Sequence, residues 1–181
     1  MKKIVLLLPF CFCGFLFAQN MKNDMISYVE EHYTKFLELI PVNKENLYGF
    51  ENREMFNRCD VGTPIKLLVI NDDNEIKITN EWRVPLSIDG KYITLITVIE
   101  DDKNYHIVDI GGSYLAKRID SYNRNNEKIS FMLRDYRNKT DYVSFEYNSR
   151  SDKNFYKIQE SDTAIKGISL NEIIETQNIN K

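Results

Sequence analysis

The chain has 181 residues, the usual length of one domain, and 43% of them are hydrophobic and 12% aromatic. This apolar content is enough to build a core, so the composition excludes an intrinsically disordered chain. A formal net charge of −3 gives no general attraction to nucleic acid.

The first 18 residues have the pattern of a secretory signal peptide. Lys2 and Lys3 supply a charged start, residues 4–17 form an apolar run, and Ala18 is a small residue before the expected cleavage point. The run is too short to cross a bilayer. We therefore predict a signal peptide at residues 1–18, no stable membrane insertion after its removal, and a secreted or periplasmic bacterial protein.

The remaining residues, 19–181, are predicted to form one domain. Removal of Lys2 and Lys3 with the signal peptide moves the formal net charge from −3 to −5. Of the three cysteines, Cys59 alone stays in the exported chain, which is therefore expected to have no internal disulfide. We interpret Cys59 as a small buried residue, with an intermolecular bridge or a reactive thiol as the alternatives.

Residues 24–40 are predicted to form an amphipathic helix. Asp24 is in position to cap its first turn, and Pro41 ends it. His32 lies beside the apolar stripe and is interpreted as a structural residue. Apolar residues recur at helical spacing at Ile26, Val29, Tyr33, Phe36, Leu37 and Ile40.

A weakly patterned connection at residues 42–63 leads into the sheet, and a short helical piece is predicted at residues 52–58. Residues 65–70 are an apolar run of strand length. Residues 71–74 are all Asn or Asp, which favour a turn, and residues 75–79 are predicted to return as the partner strand.

The centre of the chain is predicted to form a hairpin. Asp89-Gly90 lies between two alternating apolar runs, which is the strongest local signal for a two-residue turn. With that turn, Leu86 pairs with Ile93. One face of the hairpin then carries Trp82, Val84, Leu86, Ile88, Ile93 and Leu95, and the other carries Arg83, Ser87, Tyr92, Thr94, Ile96 and Val98. Both faces are partly apolar, so the hairpin is expected inside a sheet.

A third strand and a helix follow the hairpin. The strand is predicted at residues 105–110, and Gly111-Gly112 breaks it. Ser113 is placed to cap a helix at residues 114–122.

The last part of the chain adds strands and a short helix. Strands are predicted at residues 128–136, 141–147 and 154–160, and their polar alternate positions indicate one solvated face. A capping box at residues 169–172 predicts a helix that runs to about Gln177. The whole pattern predicts an α+β fold, with an antiparallel sheet of about six or seven strands. The N-terminal helix and the helix after the central meander pack on that sheet.

Patterns that carry catalysis or hold metals are absent from the sequence. The two histidines and Cys59 lack metal-ligand spacing, no Gly-rich loop is placed to hold phosphates, and no Gly-x-Ser-x-Gly motif occurs. We therefore predict that the protein is not an enzyme and uses no metal or cofactor. A hydrolase that combines Cys59 or a serine with His32 or His106 is the least favoured alternative.

Residues 117–139 form a basic segment in an otherwise acidic chain. Seven Lys and Arg oppose three acidic residues, a local balance of +4. Tyr and Arg are enriched at the energetic centres of protein interfaces. A solvated helix face and hairpin tip is the alternative interpretation. The residues predicted to bind a partner are Arg118, Tyr122, Arg124, Arg134, Tyr136 and Arg137.

These features favour an exported, non-catalytic binding protein that acts on an acidic protein partner. An inhibitor, an immunity-type protein or an accessory module of the bacterial envelope would fit that description. The alternative is a small-ligand carrier with a pocket between the sheet and the helices. Nucleic acid is not expected as a partner, because the basic segment is modest.

Overall fold

The computed structural model describes residues 10–71, 73, 75–102, 104–123, 129–145, 155–158, 167–168 and 173, with side chains from Met21 onward apart from those of 167–168. The described helices are α1 (Phe10–Leu37) and α2 (Ser113–Asn123), with 3₁₀ helices at Glu45–Tyr48 and Arg53–Arg58. The described strands are β1 (Asp60–Val61), β2 (Ile65–Ile70), β3 (Ile76–Ile88), β4 (Lys91–Asp101), β5 (Asn104–Gly111), β6 (Phe131–Asp135), β7 (Thr140–Ser144), β8 (Phe155–Lys157) and β9 (Gly167–Ile168).

Within the described residues, the nine strands form one sheet in the order β5-β4-β3-β2-β6-β7-β8-β9, with β1 beside β3. All neighbours are antiparallel except β2 and β6, which are parallel. The parallel pair arises because α2 carries the chain from the edge strand β5 across to the far side of β2. The predicted α+β fold is confirmed: seven strands have three or more residues, and β1 and β9 have two each.

The connection between α1 and the sheet packs as an ordered segment. The helical piece predicted at residues 52–58 is the 3₁₀ helix Arg53–Arg58, and the side chain of Asn52 caps it by accepting a hydrogen bond from the Glu54 amide at 3.0 Å. Arg53 donates to the carbonyls of Ile40 at 2.7 Å and Glu38 at 2.9 Å. This arginine therefore holds the chain at the C-terminal end of α1.

The Asp89-Gly90 hairpin forms as predicted. Asp89 and Gly90 have φ angles of 51° and 71°, and a type I′ turn requires positive φ at both positions. β3 is continuous over 13 residues, so the strand predicted at residues 75–79 is the first part of the same strand.

A β-bulge makes the predicted faces of β4 wrong after Ile93. Leu86 pairs with Thr94 rather than with Ile93, which is the extra residue of the bulge. Every later side chain of β4 therefore points to the face opposite to the predicted one. Leu95 leaves the face of Trp82, and Ile96 and Val98, which were predicted on the other face, join Val84, Leu86 and Ile88 on it.

α1 covers the face of the sheet that carries Trp82. Its buried residues, spaced four apart, are Met25, Val29, Tyr33 and Leu37. Met25 takes the place that was predicted for Ile26, which is only half-buried. Asp24 lies inside α1 and is therefore not its cap, and the helix ends at Leu37 rather than at residue 40. Residues four apart lie on one line along a helix, which is why Met25 rather than Ile26 is buried with Val29, Tyr33 and Leu37.

α2 covers the opposite face. Its residues Ala116 and Ile119 pack in a cluster with Leu95, whereas the next residue of β4, Ile96, packs in the cluster under α1. Successive residues of a strand point to opposite faces, so the two helices lie on opposite sides of the sheet. The helix predicted at residues 114–122 is confirmed.

The solvated face predicted for the C-terminal strands is wrong. Met132 packs in the cluster under α2, and Leu133 packs on the other face with Leu68 and Ile173; Met132 and Leu133 are both 0% exposed. β6 is an inner strand that lies parallel to β2, and such strands are buried on both faces. The helix predicted at residues 169–177 lies outside the described residues, apart from Ile173, which is helical.

Candidate binding surface

Two tight turns lie at opposite ends of the sheet. The Asp89-Gly90 turn follows the last residue of β3. The turn at residues 136–139 follows Asp135, the last residue of β6, which pairs with Ile70 of β2. Ile70 in turn pairs with Ile76, the first residue of β3. The turn at residues 136–139, which we call the β6–β7 turn, therefore lies at the end of the sheet where β3 begins.

Asp135 holds the backbone of the β6–β7 turn in place. Asp135 is only 1% exposed. Its Oδ1 accepts hydrogen bonds from the backbone amides of Arg137 at 3.1 Å and Asn138 at 3.0 Å. Oδ2 accepts a third bond, from Nδ2 of Asn138 at 2.9 Å. An Asp side chain bonds to amides a few residues later in just this kind of turn. The backbone of the turn is therefore held by hydrogen bonds to a buried carboxylate.

The two residues at the start of this turn are exposed. Tyr136 is 61% exposed, and Arg137 is also exposed. Because Asp135 holds their backbone, binding through them would cost little conformational entropy. Both are residue types that often dominate the binding energy of protein interfaces.

Arg134 lies beside the turn but is held by an ion pair. Its Nε donates to Oδ1 of Asp141 at 2.9 Å, and its Nη2 donates to Oδ2 of Asp141 at 3.2 Å. The hydrogen bond to Asp141 raises the pKa of Arg134 above its ordinary value. The guanidinium carbon is 5.9 Å from the centre of the Tyr136 ring. Arg134 therefore stiffens this surface and adds positive charge next to Tyr136.

A second arginine, Arg83 of β3, adds to the same surface. It donates from Nη1 to the hydroxyl of Thr97, and its Nη2 is 3.6 Å from Oε2 of Glu81. Burial, and then the charge of the nearby Arg134, lower the pKa of Arg83. Met132 and Arg134 are two positions apart on β6, so their side chains lie on the same face of the sheet. Met132 packs in the cluster under α2, and both arginines therefore lie on the face that α2 covers.

The other predicted binding residues are placed differently. Tyr122 is only 7% exposed, and its hydroxyl donates to the carbonyl of Lys157 at 2.8 Å, so it is a core residue of α2. Arg118 is half-buried, with its guanidinium carbon 5.9 Å from the centre of the exposed Tyr114 ring. Arg124 lies outside the described residues. The structure thus brings Arg134, Tyr136 and Arg137 together at one end of the sheet.

Cys59 and the two histidines occupy separate environments. Cys59 is half-buried against the cluster under α1, and burial raises the pKa of its thiol to about 11. His106 is exposed on the edge strand β5. His32 stacks on Tyr28, with ring centres 4.4 Å apart, and one of its ring nitrogens is 2.8 Å from the Tyr28 carbonyl. The position of His32 at the edge of the α1 stripe agrees with its interpretation as a structural residue.

Sequence reasoning missed the acidic partners of this surface. Asp135 and Asp141 have the most specific contacts, yet in the sequence Asp135 counted only as a charge opposing the basic segment. Its position directly before a turn was the signal that could have identified it. For Asp141 the signal was the hairpin pairing, which places it opposite Arg134.

In the part of the chain that the structure describes, no group of three or more His, Cys, Asp or Glu residues is arranged to hold a metal ion. No helix among the described residues is both long and apolar enough to cross a membrane. Comparison of the chain with protein-family models, with curated proteins and with solved structures finds no match.

Proposed function

We propose that this chain is an exported, non-catalytic binding protein that contacts a protein partner through the β6–β7 turn. The observation that supports this most is that different residues of the turn hold its backbone and face the solvent. Buried Asp135 holds the turn by accepting two hydrogen bonds from backbone amides and one from the side chain of Asn138, while Tyr136 and Arg137 are exposed. A rigid backbone that displays a Tyr and an Arg is a frequent arrangement at protein interfaces.

The charges at this end of the sheet favour a small acidic patch on the partner. Arg137 and Lys139 are exposed on the β6–β7 turn, and Arg134 lies beside it. The turn between β2 and β3, which is next to it in the sheet, carries the exposed acidic residues Asp73 and Glu75. Positive charge on the β6–β7 turn therefore lies beside negative charge on the neighbouring turn, and a complementary acidic group on the partner would increase the association rate and its salt dependence.

The test compares two variants of the exported chain. Tyr136→Ala combined with Arg137→Glu changes the turn, and Lys91→Glu makes the same charge change at the exposed start of β4, at the other end of the sheet. The wild-type chain is used to capture a partner from the envelope and culture fluid of its source, and the affinity for the purified partner is then titrated. We expect the double variant to bind at least about tenfold more weakly, since each such residue contributes 1 kcal/mol or more.

Lys91→Glu should bind as the wild type does. If the double variant folds and binds with unchanged affinity, the binding surface lies elsewhere and the proposal is wrong.

Export has its own test: N-terminal sequencing of the secreted or periplasmic protein should start near Gln19, and a chain that still starts at Met1 would contradict it.

The two alternative functions have less support. Pockets that bind ligands of ordinary size measure about 300–1,000 Å³, whereas the cavity between the sheet and α2 measures about 150 Å³. A thiol whose pKa is raised, as that of Cys59 is, remains protonated at neutral pH and is a poor nucleophile. We therefore place the carrier and the hydrolase behind the binding protein.

A further inference from the structure

A small cavity lies between the sheet and the C-terminal end of α2. Its volume is about 150 Å³, it is partly open to solvent, and it is lined by Thr63, Ile65, Tyr92, Asn123 and Ile129. Ile65 and Ile129 are 1% and 2% exposed, so the floor of the cavity belongs to the core under α2. This cavity is at the end of the sheet where β2 begins, away from the β6–β7 turn.

A short chain of hydrogen bonds orients the polar groups of the cavity. Oδ1 of Asn123 accepts from the Ile129 amide at 3.1 Å, and Nδ2 of Asn123 donates to the hydroxyl of Tyr92 at 3.0 Å. The Tyr92 hydroxyl therefore acts as an acceptor towards Asn123 and keeps its own proton for another partner. Burial raises the pKa of Tyr92, so this proton is retained well above neutral pH.

Thr63 supplies a second hydroxyl. Among the described residues, its side chain makes no hydrogen bond, and that of Tyr92 makes only the one to Asn123. Two residues that carry hydroxyl groups, Thr63 and Tyr92, thus line the cavity together with Asn123, Ile65 and Ile129. Such a lining offers an apolar contact surface together with a donor and a donor–acceptor group at one side.

We propose that this cavity binds a small neutral molecule with an apolar ring or branched chain and one hydroxyl or carbonyl group. A volume of about 150 Å³ accommodates a molecule of the size of benzene. The polar group of the ligand accepts from the Tyr92 hydroxyl and contacts the Thr63 hydroxyl, while Ile65 and Ile129 cover its apolar part. A charged ligand is disfavoured, because none of the described side chains that line the cavity carries a charge. The site is independent of the function proposed for the β6–β7 turn.

The test uses phenol and toluene as a matched pair of probes on the full chain. Both are titrated while the backbone amide and methyl NMR signals of the cavity residues are followed. We expect phenol to bind saturably with shifts centred on Ile65 and Ile129, and at least about fivefold more tightly than toluene. That ratio corresponds to the roughly 1 kcal/mol of one hydrogen bond.

Two variants separate the hydroxyl contacts from simple filling of the cavity. Tyr92→Phe should weaken phenol binding at least about fivefold and leave toluene binding within about twofold. Thr63→Val, which keeps the shape of the side chain, should weaken phenol binding without disturbing the bond between Asn123 and Tyr92. Absence of saturable phenol binding would overturn the proposal, as would equal phenol affinity in the wild type and both variants.

Discussion

The two turns at opposite ends of the sheet are built on different physical principles. The Asp89-Gly90 turn depends on the backbone angles of its own two residues, which both have positive φ. The β6–β7 turn depends instead on a residue of the preceding strand, since buried Asp135 bonds to two of its amides. In the first turn the exposed residues determine the structure. In the second the determinant is the buried Asp135, and the exposed Tyr136 and Arg137 are not what determines the backbone.

This difference explains why we assign a structural role to the Asp89-Gly90 turn and partner binding to the β6–β7 turn. At the Asp89-Gly90 end, β1 pairs with β3 near the turn, and Cys59 precedes β1 and packs against the core. At the other end, Tyr136 has 61% of its surface exposed above a fixed backbone. The predictions below test whether each turn depends on the feature we have named.

The largest effect is expected from Asp135→Ala. The substitution removes three hydrogen bonds from a carboxylate that is 1% exposed, and it leaves the amides of Arg137 and Asn138 without that acceptor. Because unsatisfied groups cost about 1–3 kcal/mol each, we expect the free energy of unfolding to fall by about 3 kcal/mol. Urea denaturation followed by circular dichroism measures the loss.

Asp135→Asn is the matched control for that substitution. It keeps an oxygen that can accept from the backbone amides but loses the bond from Nδ2 of Asn138, so its cost should be about 1 kcal/mol. Binding through Tyr136 should fall in the alanine variant even where the protein remains folded, since the turn is then mobile. A loss below about 1 kcal/mol for Asp135→Ala would mean that the turn is determined by other contacts.

Gly90→Val tests the other turn and should have the next largest effect. A Cβ at Gly90 would meet no atom within 4 Å, so any cost arises from the positive φ of 71° rather than from a clash. A β-branched residue at such an angle costs roughly 1–3 kcal/mol. Gly90→Asn, which tolerates the same angle, should cost less than half as much. Thermal melts of the two variants give the comparison, and equal melting temperatures would show that backbone angle is not what this turn requires.

The Asp89-Gly90 hairpin was predictable from sequence because its signal is local. Two residues with a preference for positive φ stand between two alternating apolar runs, and no distant contact is needed to recognise them. The bulge at Ile93 had no such signal, since it is a property of how β4 pairs with β3. One extra residue was enough to reverse the predicted faces of Leu95 and Ile96.

The candidate surface was predictable only in part, for a related reason. The composition of the basic segment identified Tyr136 and Arg137, which are exposed. It did not distinguish them from Tyr122, which is of the same type as Tyr136 but is buried through the packing of α2. Nor did it show that Arg134 is paired with Asp141, because that contact crosses between two strands.

Charge reversal at Arg134 should therefore disturb folding as well as binding, contrary to what an exposed arginine would do.

Cys59→Ala should have a smaller effect than the turn variants. Cys59 is half-buried, and the loss expected for a small truncation is roughly 1 kcal/mol, with binding unchanged. The raised pKa predicts a pH dependence as well. The thiol ionises near pH 9.0 in the unfolded chain but only near about 11 in the folded one, so its stabilising contribution is complete below pH 9.0 and is lost as the pH rises through about 11. Denaturation curves at pH 8 and above should show this loss in the wild type and less of it in Cys59→Ala. Loss of partner binding in a folded Cys59→Ala variant would contradict the structural role.

The smallest effect is expected from Asp89→Asn, which removes the ion pair between Oδ2 of Asp89 and Nη2 of Arg58 at 3.4 Å. The two side chains are 82% and 58% exposed, so water and salt screen their attraction, and exposed pairs contribute about 0–1 kcal/mol. Asn also adopts positive φ readily, so the turn itself should be retained. We expect the free energy of unfolding to change by less than about 0.5 kcal/mol, and Arg58→Ala should give a similarly small change. A loss above about 1 kcal/mol in both variants would mean that this turn, like the β6–β7 turn, depends on a side-chain contact, and the contrast between the two turns would no longer hold.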